Sequence, residues 1–484
     1  MRSALSIRRI LPLILFAAGV AAKTAADEPT AAEVLTAMKR ATQFLTDQVA
    51  VQGGYVYRVR ADFSEREGEG TATATEIWVQ PPGSPSVGWA FLDAWESTSD
   101  PQFLQAARNC AAALMHGQLE SGAWTDRVDF DPRGKRTGRY RDGRGNPEGR
   151  NYSTLDDDKS QSALRFLIRF DQLTGFRDAE VHDAVQYALE ALLKAQFANG
   201  GFPQGWDGPV EPGPITTASF PDYDWRTEGR FKNYWDFETL NDGLAGTVTA
   251  TLHLAAEVYS DQRFHESLLR FGDFLMRAQL PEPQPAWAQQ YNHQLQPIWA
   301  RKFEPPAIAG RESEDVIETL IQLYEWTGES RFLEPVPAAL AWIRRSLLPD
   351  GQIARFYEMQ TNRPLYFVRD SYELTYDDSQ LPTHYSFRSR SKVDQLERRL
   401  NRARSGQSSI SPRSLNSLRK EVPAVLAQLD DQGRWLSDEK GRPTQESGAK
   451  PAAELFIESR TFCHHLSLLA EFHGALQDSA ALPK

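Results

Sequence analysis

Residues 159–202, KSQSALRFLIRFDQLTGFRDAEVHDAVQYALEALLKAQFANGGF, decide the fold. Apolar residues recur at helical spacing over 159–173 and again over 178–196, which predicts two amphipathic helices. Thr174-Gly175-Phe176 separates them, and Gly200-Gly201-Phe202 closes the unit. The same unit can be followed along the chain. Helical stretches also run into a Gly- or Ala-marked loop and an apolar closing residue at Gly53-Gly54-Tyr55, Gly122-Ala123-Trp124, Ala286-Trp287 and Gly351-Gln352-Ile353. The last four cycles share a mid-cycle turn: Ser99-Asp100-Pro101-Gln102-Phe103, Thr174-Gly175-Phe176, Ser260-Asp261-Gln262-Arg263-Phe264 and Gly328-Glu329-Ser330-Arg331-Phe332. Further helix pairs are predicted at 87–97 with 102–118, 243–259 with 263–279 and 312–326 with 332–347, after a first helix over 31–50. Cycles of roughly 65 to 90 residues built on helix pairs predict an all-α fold, an incomplete (α/α) toroid with long loops gathered on one face and minor β structure. A short alternating stretch at 55–59 suggests a small hairpin. Beyond residue 370 the repeat degrades. A strongly basic stretch over 388–420 follows, with helical spacing from Lys392 to Arg404, and then a final helix over 454–477. A solvated helix and contact with an acidic polymer both account for the basic stretch.

Arg2, Arg8 and Arg9 precede an apolar run over 10–22, and small residues follow at Thr24-Ala25-Ala26. This is the pattern of a secretory signal, too short for a membrane span; an uncleaved anchor is the other reading. The expected organisation is a signal peptide at 1–26 and one toroid domain at 27–484, secreted or periplasmic, with no stable membrane insertion after cleavage. Residues 1–26 carry four basic residues and no acidic one, so their removal takes the net charge from −11 to −15. That acidity argues against a nucleic-acid partner. With Cys110 and Cys463 as its only cysteines, the chain has no disulfide framework.

Three loops carry chemistry. Thr154-Leu155-Asp156-Asp157-Asp158 lies just before a helix, where acidic side chains are ordinary caps, and one of the three is expected to cap. Adjacent carboxylates also repel one another, and oxygen-only ligands of this kind suit Ca²⁺ or Mg²⁺ rather than zinc. Phe237-Glu238-Thr239-Leu240-Asn241-Asp242-Gly243 occupies the equivalent place one cycle later, so the two acidic loops can converge on one ion. In the third loop, residues 299–306 (WARKFEPP), Pro305-Pro306 denies a helix and holds Arg301 and Lys302 on extended chain. An arginine there can clamp a carboxylate or phosphate bidentately. A similar run over 354–370 alternates aromatics with arginines. No nucleophile elbow, HExxH or phosphate loop is present.

These loops resemble the family 10 pectate lyases of the polysaccharide lyase classification. The matching phrases are TLDDDKSQSALRFL (154–167), AQFANGGFPQGW (195–206), NYWDFETLNDG (233–243), AWAQQYNHQLQPIWARKFEPPAIAGRESE (286–314) and ARFYEMQTNRPLYFVRD (354–370). They stand in family order within a core of about residues 90–375, leaving a basic helical extension at about 388–450 and an insert at 205–233 outside the match. The resemblance implies an incomplete helical toroid that cleaves polygalacturonate, or a related acidic polysaccharide, by β-elimination with Ca²⁺. It assigns the base to Arg301, with Lys302 as the fallback. Asp156 and Asp242, joined by Asp157, fall on the acidic positions tied to calcium and the substrate carboxylate; Asp157 stands where the family commonly has Asn. The expected substrate-binding set is Asn241, Glu304, Tyr357, Asn362, Arg363 and Arg369. Arginine is a poor base, because its pKa exceeds 12, so that role needs surrounding positive charge. Two rivals remain. A glycoside hydrolase on the same fold would use a carboxylate pair such as Glu304 and Glu358. A non-catalytic polyuronate-binding protein would bind and release nothing.

Overall fold

The computed structural model describes residues 28–211, 213–407, 413–444 and 454–481. The expected signal sequence at 1–26 lies outside these. The helices are α1 (Ala31–Phe44), α2 (Ser84–Thr98), α3 (Pro101–His116), α4 (Lys159–Leu173), α5 (Ala179–Lys194), α6 (Leu244–Tyr259), α7 (Gln262–Arg277), α8 (Gly310–Thr327), α9 (Val336–Ser346), α10 (Val393–Arg404), α11 (Leu415–Gln428) and α12 (Ser459–Ala481). Even-numbered helices form the inner wall. They neighbour one another in the order α12, α2, α4, α6, α8, α10, while α1, α3 and α5 neighbour one another outside. The series is open between its two ends, since α10 and α12 are not close neighbours as the other inner helices are.

The repeat follows from two local devices. At one end, an aspartate starts three of the outer helices: the Asp100, Asp178 and Asp261 carboxylates accept from the backbone N–H groups of Gln102, Val181 and Arg263. Glu329 occupies the same place before the short turn leading to α9. Three residues after each acid comes a side chain with no exposed surface to speak of: Phe103, Val181, Phe264 and Phe332. Val181, and not Phe176, is therefore the second member of the series. Phe176 is 46% exposed, and the Thr-Gly-Phe reading was out of phase.

At the other end, a left-handed glycine reverses the chain after an outer helix and an aromatic or aliphatic plug follows. Gly122 (φ 109°) precedes Trp124, whose indole N–H donates to the Leu114 carbonyl at 2.8 Å. The same device recurs at Gly433 (φ 86°) and Trp435, whose indole N–H donates to the Val425 carbonyl at 3.0 Å. The repeat thus continues past residue 370 instead of degrading. The basic segment belongs to the ring: Lys392 and Arg399 pair with Asp315, Glu318 and Glu325 of α8, and Arg344 of α9 pairs with Asp394 and Glu397 of α10.

All long loops lie at the glycine end, where inner helices begin. The expected hairpin is present as Arg58–Arg60 paired with Arg66–Glu67, and it also pairs with Phe456–Glu458 from the chain's other end. No described helix is long and apolar enough to cross a membrane. Cys110 and Cys463 are both free.

Candidate active site

The starts of α4 and α6 are built alike. Leu155-Asp156-Asp157-Asp158 and Leu240-Asn241-Asp242-Gly243 each form one 3₁₀ turn, with positive φ at the third and fourth residues: 48° and 61° in the first, 50° and 73° in the second. Asp157 therefore matches Asp242, and Asp158 matches Gly243. Left-handed backbone costs a non-glycine residue about 1 kcal/mol or more, and such strain concentrates at functional sites. None of the acids caps its helix through a side-chain hydrogen bond, contrary to the capping expectation. Because α4 and α6 are ring neighbours, the turns meet, and one oxygen from each of Asp156, Asp157 and Asp242 lies within 4.8 Å of the others.

The electrostatics of this cluster are uneven. Lys159 Nζ lies 2.7 Å from Asp156 and 3.7 Å from Asp157, and the Gln204 amide donates to Asp156 at 2.7 Å. Burial works to raise the Asp156 pKa, but Lys159 and Gln204 override it and the carboxyl lies below its usual range. Asp157 is raised, by burial and then by Asp156. Asp242 is raised to about 7, first by burial and then by Asp157 and Asp156. Three partly buried carboxylates that resist sharing negative charge, with oxygen donors only, fit a hard divalent cation such as calcium.

Two guanidinium groups stand beside Asp242. Arg301 Nη2 is 3.9 Å from it and Arg355 Nη2 is 3.8 Å from it. Arg301 is 40% exposed and clamped by Glu304, which accepts from Nε at 2.8 Å and Nη2 at 2.5 Å. Burial acts to lower the Arg301 pKa, but the Glu304 bonds and charge dominate and hold it raised. Arg355 is 4% exposed; its Nη2 donates to Glu312 at 2.5 Å and to Asn241 Oδ1 at 3.3 Å. The Tyr385 ring lies beneath both cations, and its hydroxyl donates to Glu304 at 3.1 Å. Tyr234 is close enough for the charges of Arg301 and Asp156 to act on its hydroxyl.

Of the residues expected from sequence, Asp156, Asp157, Asn241, Asp242, Arg301 and Glu304 come together. Several take other places than expected. Glu304 is buried, with its oxygens engaged by Arg301, Gln289 and Tyr385, so it positions the arginine instead of facing a ligand. Tyr357 is a core residue whose hydroxyl donates to the Ser346 carbonyl. Asn362 is spent on Trp342, Gln284 and Ser346. Lys302 sits over the Tyr372 ring at 3.5 Å, and Arg363 over Tyr376 at 3.4 Å. Arg369 is exposed and donates to the Leu381 carbonyl. Arg355 and Lys159 were missed: Lys159 reads as the first residue of a helix, Arg355 as one of several arginines in the 354–370 run, and only the folded ring aims them at the acids. The suggested hydrolase pair is also accounted for: Glu304 is held by Arg301, and Glu358 by Arg226 and Tyr376 in a separate network.

A family model described as pectic acid lyase matches residues 118–354, which contain both acidic turns and Arg301. No curated protein matches the chain. Among solved structures, the chain is similar to a mutant family 10 polysaccharide lyase from Cellvibrio cellulosa in complex with trigalaturonic acid (21% identity, 66% of this chain and 97% of that one, TM-score 0.46). It is also similar to a family 76 glycoside hydrolase (mannosidase) from Bacteroides thetaiotaomicron (8% identity, 93% and 100%, TM-score 0.47) and to a cellobiose 2-epimerase from Bacillus thermoamylovorans (11%, 91% and 98%, TM-score 0.44).

Proposed function

We propose, from the premise that this chain belongs to the pectic acid lyase family through residues 118–354 and is a polysaccharide lyase, that it cleaves polygalacturonate by calcium-assisted β-elimination. The observation that carries this reading is the convergence of Asp156, Asp157 and Asp242 with Arg301, whose Nη2 lies 3.9 Å from Asp242. In the reaction the C5 proton, α to the uronate carboxylate, is taken by a base. Its electron pair forms the C4–C5 double bond, the C4–O bond breaks, and the departing oxygen takes a proton from solvent. Asp156, Asp157 and Asp242 would hold a calcium ion, which would supply charge neutralisation to the uronate carboxylate and so lower the cost of the enolate-like charge that develops there. Lys159 and Arg355 hold the acid cluster in shape from either side. A secreted or periplasmic location fits the N-terminal sequence and a polymeric substrate.

Arg301 takes the C5 proton in this proposal. Glu304 opposes that role, because a bidentate carboxylate stabilises the cation. Glu304→Gln decides between a base and a fixed cation. If Arg301 is the base, weakening the clamp shifts the rising limb of the kcat profile to lower pH. If Arg301 serves only as a fixed charge, the limb stays in place and kcat falls. The function itself is tested by incubating the protein with polygalacturonate and following the ultraviolet absorbance of unsaturated uronide. Saturated reducing ends, or binding without turnover, would overturn the lyase reading.

A further inference from the structure

A second recess opens on the loop face beside the acidic cluster, about 480 Å³ in volume, where α2, α4 and α12 begin. Its walls join parts of the chain inside the family match (Asp158, Arg165) to parts outside it (Pro81, Pro85, Trp89, Arg413). It adjoins the first acidic turn. Asp158 lines it and directly follows Asp157. Pro81 follows Gln80, whose backbone N–H reaches the Asp126 carbonyl, and the Asp126 side chain is within the electrostatic reach of Lys159. A chain seated on the acid cluster therefore has this recess as its neighbour on the side of the first turn.

The charge of the recess differs from that of the cluster. Arg165 Nη2 donates to both oxygens of Asp158, at 2.9 and 2.7 Å, and its Nη1 to the Thr247 carbonyl and the Thr251 hydroxyl. Arg413 Nε donates to Glu471 at 2.8 Å, and Nη1 lies 3.7 Å from Glu421. Each cation already has an internal counter-ion. A uronate carboxylate entering here meets Asp158 and two arginines whose charge is already balanced, and gains little. An uncharged ring meets no such opposition, and Pro81, Pro85 and Trp89 give it apolar wall. Trp89 is braced from the other side by Arg169, 4.3 Å from its ring.

We propose that this recess is a subsite for an uncharged sugar of the polymer, a methyl-esterified uronate, so that the protein takes partly esterified chains with a free uronate at the acid cluster and an esterified one beside it. This rests on the polyuronate reading above. The test is calorimetric binding of unesterified and partly methyl-esterified oligogalacturonates to wild type, Ser86→Trp, which fills the recess from its rim, and Trp89→Ala, which removes its wall. Thermal melting identifies any variant that fails to fold, and the other then carries the comparison. The expected result is a loss of about tenfold in affinity for the esterified oligomer, with less than about a twofold change for the unesterified one. Equal losses on both oligomers, no loss on either, or a wild type that binds neither would overturn the proposal. A protein that shows this selectivity yet releases no unsaturated product would fail the lyase reading alone.

Discussion

The two acidic turns share a backbone and differ in the charge that accompanies them. Each places an aspartate at φ near 50° beside the start of an inner helix, Asp157 before α4 and Asp242 before α6. In the first turn the next inner-helix residue is Lys159, whose ammonium lies 2.7 Å from Asp156 and helps to hold it ionised. In the second the equivalent residue is Leu244, which is buried and brings no charge. Asp242 is left to face the first turn's carboxylates with two arginines nearly 4 Å away, and its pKa rises to about 7. The first turn carries its own ammonium, which serves Asp156 ahead of Asp157, and the second turn brings none. Under the calcium proposal, that asymmetry is what would let the pair exchange a cation for a proton.

The largest effect is expected from removing the unneutralised charge. Asp242→Asn keeps the shape of the turn and deletes the carboxylate, and it should lower kcat on polygalacturonate by about 10²-fold or more. A steady-state assay at saturating calcium checks this; a variant within a few-fold of wild type would show that the second turn is only structural. Lys159→Met makes the first turn resemble the second. With Asp156 and Asp157 no longer balanced, the calcium-free protein should lose on the order of 2 kcal/mol of stability, and calcium should restore most of it. Denaturant melts with EDTA and with calcium measure both values. An equal loss in both would mean that Lys159 acts through packing alone.

The smallest effect is the pH dependence of the calcium-free protein. Asp242 has a folded pKa of about 7 against an ordinary value of 3.8, so folding favours its protonated form. The resulting stabilisation is complete below the ordinary value and is lost as pH rises through 7. Wild type without calcium should therefore melt lower at pH 8 than at pH 5.5, with calcium raising the melting temperature more at pH 8. Asp242→Asn should flatten this difference, and a wild-type profile that is already flat would show that the turns do not compete for charge.

Much of this was legible in the sequence for physical reasons. Aspartate caps and left-handed glycines punctuate the chain at fixed offsets, so helices α1 to α9 fall within a few residues of their periodicity. The last cycle was missed because Pro423 interrupts the pattern of its outer helix and its glycine turn, Asp430 to Trp435, is flanked by charges. Phe176 misled the alignment, since an aromatic beside a glycine resembles the plug that Val181 provides. In the site, the aspartates and Arg301 stood out because several charges sit together on non-helical loops. Tyr357, Asn362 and Glu304 shared those loops but point inward, and strand alternation over two or three residues cannot reveal that. Arg355 lies in the same run as Arg363 and Arg369. Only the approach of α8, with Glu312, and of Asn241 singles it out.

Calcium titration of wild type and Asp242→Asn by calorimetry at pH 8 tests the central claim most directly. The two-turn site predicts saturable binding to wild type, weakened by about tenfold or more in the variant, in step with its loss of unsaturated product. Equal calcium affinity in the two proteins, or full product formation by wild type in EDTA, would contradict it.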